Sequence, residues 1–97
     1  MSRPELIKSD ELEAELFGVP LWNMEDIKIV REIVCSNFAA AVGVVNSVAV
    51  LAESMNHHPD LLIYGWNKVR IALTTHDSGG LTELDFKLAK KIDELNF

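Results

Sequence analysis

The stretch FAAAVGVVNSVAVLAESM, Phe38 to Met55, decides whether the centre of the chain is helix or strand. Phe38, Ala41, Val42, Val45, Val48, Ala49, Ala52 and Met55 recur at spacings of three and four, the stripe of an amphipathic helix. The valines pull mildly the other way, because β-branched side chains lose rotamer freedom in a helix. A single strand of 18 residues is far beyond the usual length, and Ala39, Ala40, Ala41 and Ala49 are strong helix formers, so helix is expected. Ser36 or Asn37 can cap its start. Pro59 disfavours helical backbone at the residue before it, which sets the end near His57. The apolar run inside this segment, Ala39 to Ala52, is interrupted by Asn46 and Ser47 and falls short of the ~20 residues of a bilayer span. It is expected to be a core element, with no membrane as partner.

Upstream, Ile27, Ile29, Arg31, Ile33 and Cys35 alternate with Lys28, Val30, Glu32 and Val34, which is a strand pattern. Met24, Glu25 and Asp26 read as the turn of a hairpin whose other strand is an edge near Leu21 and Trp22. Earlier still, Ser9 can cap a helix from Asp10 to about Phe17, with acids in its first turn and Gly18 as its stop. Downstream, Leu61 to Tyr64 forms a short strand and Gly65-Trp66-Asn67 a turn or bulge. Val69, Ile71, Leu73 and Thr75 then alternate with Arg70, Ala72, Thr74 and His76. DSGG, residues 77 to 80, is a tight connection, and Thr82 with Asp85 approximates a capping box with Asp in the place of Glu. Leu84, Leu88, Ile92 and Leu95 mark the inner face of a last helix. The order α-β-β-α-β-β-α gives an α+β domain, a four-stranded antiparallel sheet with three helices packed on one face.

The length of 97 residues fits one domain, residues 1–97. A domain this small buries only about 60–65% of its unfolded surface, so it stands to gain from self-association. The formal net charge is -6, with the basic residues scattered singly. Direct binding to a phosphate backbone needs a clustered positive patch, and none is present. Cys35 stands alone, so no internal disulfide forms, and MSRPELIKSDELEAEL lacks the apolar core of a signal peptide. A cytoplasmic address is expected. The sequence has no nucleophile elbow, glycine-rich phosphate loop or dinucleotide fingerprint.

All three histidines lie at ends of expected elements. His57 and His58 close the central helix, and His76 stands where a strand runs into glycines. Ends of rigid elements are where sites are usually built. Glu53 lies four residues before His57 on the same helix face, and the negative end of the helix also favours an imidazolium, the form in which histidine delivers a proton. An ordinary helix stop accounts for the same residues equally well. A metal site is a third reading. Three imidazoles and a carboxylate resemble a zinc set in kind, but adjacent histidines at a helix end rarely aim at one ion, and no paired-cysteine or HExxH spacing supports it.

Taken together, Glu53, NHHPD at 56–60, the aromatic segment from Tyr64 to Trp66, NKV at 67–69, TTHDSGGLT at 74–82 and DFKLAKKID at 85–93 resemble pterin-4a-carbinolamine dehydratase (4a-hydroxytetrahydrobiopterin dehydratase). The resemblance spans nearly the whole chain. It implies a four-stranded antiparallel sheet with three helices on one face, and assembly as a homodimer or homotetramer. It also implies dehydration of 4a-hydroxytetrahydropterin, the carbinolamine left by an aromatic amino acid hydroxylase, to quinonoid dihydropterin, with no metal or organic cofactor. By position, His57 and His76 match the acid-base histidines and His58 the one that mainly holds substrate. Asn56, Thr74, Thr75 and Asp77 match positions lining the pterin pocket, with Glu53 orienting or charging His57. Asp85 is read as a helix cap, and Trp22 equally as packing or as a pterin contact. The alternative is a protein-binding role on the same fold, as a dimerisation partner of a transcription factor or an assembly factor. The complete set of three histidines favours the enzyme.

Overall fold

The Phe38–Met55 stretch is helical over its whole length in the computed structural model, which describes residues 3–97. Helix α1 is Ser9–Phe17, and strands β1 (Asn23–Glu25) and β2 (Lys28–Val34) form the first hairpin. Helix α2 is Phe38–Met55, strands β3 (Asp60–Tyr64) and β4 (Lys68–Leu73) form the second hairpin, and helix α3 is Glu83–Asp93. The strands lie in the order β1-β2-β4-β3, with every neighbouring pair antiparallel. The expected order α-β-β-α-β-β-α is the observed one.

One face of the sheet is apolar, and the helices bury it. Ile29 and Ile33 of β2 lie opposite Leu73 and Val69 of β4, and β3 sets Leu61 and Ile63 beside Ile71 and Val69. These residues form one cluster with Phe86, Leu88, Ala89 and Ile92 of α3 and with Ala41, Val44, Val48 and Ala52 of α2. On the opposite face Arg70 pairs with Glu25 and the Tyr64 hydroxyl donates to Glu32.

Helix α2 is turned from the expected stripe. Val44 is buried, whereas Phe38 is 57% exposed and Ala49 is also exposed. A helix apolar on nearly all sides does not reveal by periodicity which side meets the sheet. With all 18 residues helical, α2 is long and apolar enough by length and composition alone to cross a membrane, a measure that buried core helices also meet. Here it packs across the sheet through its four buried residues, and only 22% of it is buried. Its first turn is closed by Asn37, whose side chain accepts the Ala40 N–H at 2.7 Å. Asn37→Ala is expected to cost about 1 kcal/mol in chemical denaturation, the usual cost of a lost N-cap.

Three local expectations need correction. Strand β1 is Asn23–Glu25 rather than Leu21–Trp22, and the hairpin turns at Asp26 and Ile27. Asp26 has φ 56, a left-handed conformation that Asp tolerates better than most residues. Trp22 is thereby freed for the core, where its Nε1–H donates to Asp93 Oδ1 at 2.9 Å, beside the Arg31 guanidinium at 2.8 Å. Trp22 therefore packs α3 against the sheet. Third, Ser9 is the first helical residue of α1, and Lys8 holds the cap position without a side-chain bond.

Candidate active site

The end of α2 and the end of β4 meet because β3 pairs with β4. Asp60 lies opposite Ala72, so residues just before Asp60 run beside those just after Ala72. At the close of α2, Asn56 takes a left-handed conformation (φ 49, ψ 43), and its N–H bonds to Ala52 and Glu53 carbonyls. The His57 N–H returns to the Ala52 carbonyl at 3.1 Å, which holds that residue against the last turn. Beyond β4, Thr75 pairs with Gly80 across a short 3₁₀ turn, His76–Ser78, that ends on Gly79. Gly79 has φ 73, a value that favours glycine.

Asn56, His57, His58, Thr74, Thr75, His76 and Asp77 thus line one open pocket of about 180 Å³. The expected site residues converge there, with the exception of Glu53. Four larger cavities, of about 280 to 630 Å³, contain no histidine. Chemistry rather than size marks this pocket. Among the described residues, no three His, Cys, Asp or Glu side chains are grouped so that they could hold a metal ion.

Glu53 does not meet His57. Helix α2 stops at Met55, and the left-handed Asn56 breaks the i,i+4 geometry that would have paired them. Glu53 instead bonds His58, with Oε1 2.9 Å from Nε2, at an exposed position. His57 turns inward and is 7% exposed. Its Nε2 lies 2.6 Å from Asp85 Oδ1.

Asp85 is fully buried. It occupies the third position of α3, where Oδ2 accepts the Thr82 N–H at 2.9 Å and completes a capping box. The same Oδ2 accepts the Thr75 hydroxyl at 2.8 Å. The expected cap is therefore present, and the same carboxylate is also the partner of His57. A buried carboxylate is costly to desolvate unless its oxygens are paired, and here both are. The only local sign of this second duty was Asp where a capping box ordinarily has Glu or Gln.

The two threonines differ. Thr74 Oγ1 donates to the Ile27 carbonyl at 2.7 Å and ties the end of β4 to the first hairpin. Thr75 is buried, with its hydroxyl in the Asp85 network. His76 and Asp77 are exposed, and the N-terminal segment holds their turn from outside. Arg3 Nη1 donates to the Asp77 carbonyl at 3.2 Å, and the Ser78 hydroxyl to the Pro4 carbonyl at 2.5 Å. The site thus offers one buried imidazole fixed by a carboxylate and two exposed imidazoles, a set suited to moving protons to and from a small polar ligand.

Residues 5–95 match the family described as Pterin 4 alpha carbinolamine dehydratase. A protein of Chloroflexus aurantiacus, provisionally named pterin-4-alpha-carbinolamine dehydratase, is 52% identical over 85 residues, covering 88% of this chain and 90% of its own. The crystal structure of a transcriptional coactivator/pterin dehydratase from Brucella melitensis superposes with a TM-score of 0.85 at 31% identity, over 92% of this chain and 96% of that one. A pterin dehydratase-like protein identified as a RuBisCO assembly factor in the alpha-carboxysome shares the fold, with a TM-score of 0.58 at 19% identity over 74% of this chain and 82% of that one.

Proposed function

Because this chain belongs to the pterin 4 alpha carbinolamine dehydratase family, we propose that its histidine pocket dehydrates a 4a-hydroxytetrahydropterin to quinonoid dihydropterin and water. The observation that carries this reading is the convergence of His57, His58 and His76 on one pocket, with His57 held by a buried carboxylate. In the reaction the C4a–O bond breaks, and its electron pair leaves with the hydroxyl, which takes up a proton and departs as water. A ring N–H gives up its proton, and the electrons of that bond form the new C=N bond. Nothing is oxidised or reduced, so one proton donor and one acceptor complete the chemistry, a service worth about 10²–10⁴ in rate from positioned side chains. His57 and His76 serve as the acid-base pair. His58, tied to Glu53, holds the pterin, while Asn56, Asp77 and the Thr74–Thr75 strand end shape the pocket.

The test is stopped-flow decay of freshly generated 4a-hydroxytetrahydropterin, with the protein at catalytic concentration. A decay faster than in buffer is expected. A decay no faster than buffer removes the enzyme reading and leaves a protein-binding role, with the RuBisCO assembly factor as a precedent on this fold.

The same reading includes self-association, with a second copy covering the outer face of α2. Phe38 and Val50 on that helix are 57% and 71% exposed, large apolar side chains that a second copy would remove from water. Gly43 and Ser47 line the cavity beside it and leave room for close helix contact. Light scattering should give a multiple of the 10.8 kDa protomer, and Val50→Asp a lower mass. A wild-type monomer at micromolar concentration would sink this part of the proposal.

A further inference from the structure

Thr75 belongs to the wall of the pocket, yet its hydroxyl points away from it. Thr75 is 5% exposed, and its Oγ1 lies 2.8 Å from Asp85 Oδ2 and 2.7 Å from Thr82 Oγ1. A hydroxyl has a single proton to give. With that proton directed to the carboxylate, Thr82 must donate to Thr75, while Thr82 Oγ1 accepts the Leu84 N–H at 3.3 Å. The hydrogens therefore run one way, from Leu84 to Thr82 to Thr75 to Asp85. Oδ2 takes the Thr75 hydroxyl together with the Thr82 N–H at 2.9 Å, and Oδ1 is left for His57 Nε2 at 2.6 Å.

A carboxylate only accepts, so the ring hydrogen of a neutral His57 sits on Nε2 and the lone pair on Nδ1. Among the described residues, no buried side-chain nitrogen or oxygen lacks a partner. Nδ1 of His57 bonds none of them, so it is open to the pocket that His57 lines.

We infer that Thr75, backed by Thr82, is a positioning residue that steers Asp85 onto His57 Nε2, so that His57 meets its substrate through Nδ1 alone. The consequence for rate rests on the dehydratase reading, whereas the tautomer does not. Without the Thr75 hydroxyl, Oδ2 keeps only a backbone donor, and the carboxylate is free to swing off the imidazole.

Thr75→Val tests this, since valine keeps the shape and β-branching and removes only the hydroxyl. In nitrogen-15 spectra of histidine-labelled protein, wild-type His57 should show the Nε2–H tautomer when neutral. Thr75→Val should show a mixture, with kcat lowered about tenfold and KM nearly unchanged, and Thr75→Ser should restore both. A wild-type Nδ1–H tautomer overturns the inference, as does a Thr75→Val protein with wild-type spectrum and kcat. Should the wild type fail to accelerate carbinolamine decay, the dehydratase reading falls, and the spectra alone uphold or reject the role of Thr75.

Discussion

His57→Ala should lower the rate of carbinolamine dehydration by about 10²–10⁴-fold, the range for removal of a positioned acid or base. Two losses combine in this variant. The pocket loses one of the two proposed acid-base groups, and the fully buried Asp85 loses the donor 2.6 Å from its Oδ1. Breaking a buried pair by deleting one partner costs roughly 3–5 kcal/mol, because an uncompensated charge is left behind. The protein should therefore melt earlier as well as turn over more slowly. His76→Ala separates the two effects. His76 is exposed, so its loss should slow turnover by a similar factor while leaving the denaturation midpoint nearly unchanged. If the two histidines serve one proton relay, the double variant should be little slower than the worse single one, since residues acting as a unit are not additive. Full activity in both single variants would place the chemistry elsewhere.

The contrast between these two histidines shows which parts of the molecule the sequence makes legible. Elements were readable where a local rule has one strong outcome. Helix α2 ends at Met55, close to the His57 expected from Pro59, and the alternation of Val69, Ile71 and Leu73 gives β4. The Thr82–Asp85 capping box starts α3 where expected. Reading failed where two local solutions compete. The Asp26 turn displaced the first hairpin because Trp22 gains more from the core and Asp93 than from a strand edge. The apolar sides of α2 could not be ranked without the sheet beneath them. At the site, the histidine pocket was legible through its motifs, but the partner of His57 was not. Glu53 is four residues away in sequence and Asp85 is 28, and the left-handed turn at Asn56 decides in favour of the distant carboxylate.

Asp85→Asn should reduce kcat about as severely as His57→Ala, by roughly 10²–10⁴-fold, although Asp85 does not itself line the pocket. Asp85 accepts from three donors, His57 Nε2 at Oδ1 and the Thr82 N–H and Thr75 hydroxyl at Oδ2. An amide has one accepting oxygen and one donating nitrogen. The Thr82 N–H is a backbone donor and cannot reverse, so the amide oxygen must face it and the NH₂ must face His57. A neutral His57 then has to accept at Nε2 and carry its hydrogen on Nδ1, the nitrogen open to the pocket. In that tautomer Nδ1 cannot take a proton from the substrate. A protonated ring, needed to give one, would set Nε2–H against the amide hydrogens. Both acid and base service are lost, as when an aspartate that orients a catalytic histidine is made neutral elsewhere, a change worth about 10⁴ in kcat. Stability should fall by only about 1–3 kcal/mol, because the capping bond survives and one hydrogen bond loses its charge. The measurements are kcat by stopped flow, the denaturation midpoint and the nitrogen-15 spectrum of His57. An Asp85→Asn protein that kept wild-type kcat with an inverted tautomer would show that His57 does not transfer the proton, and one that kept both would reduce Asp85 to the cap of α3.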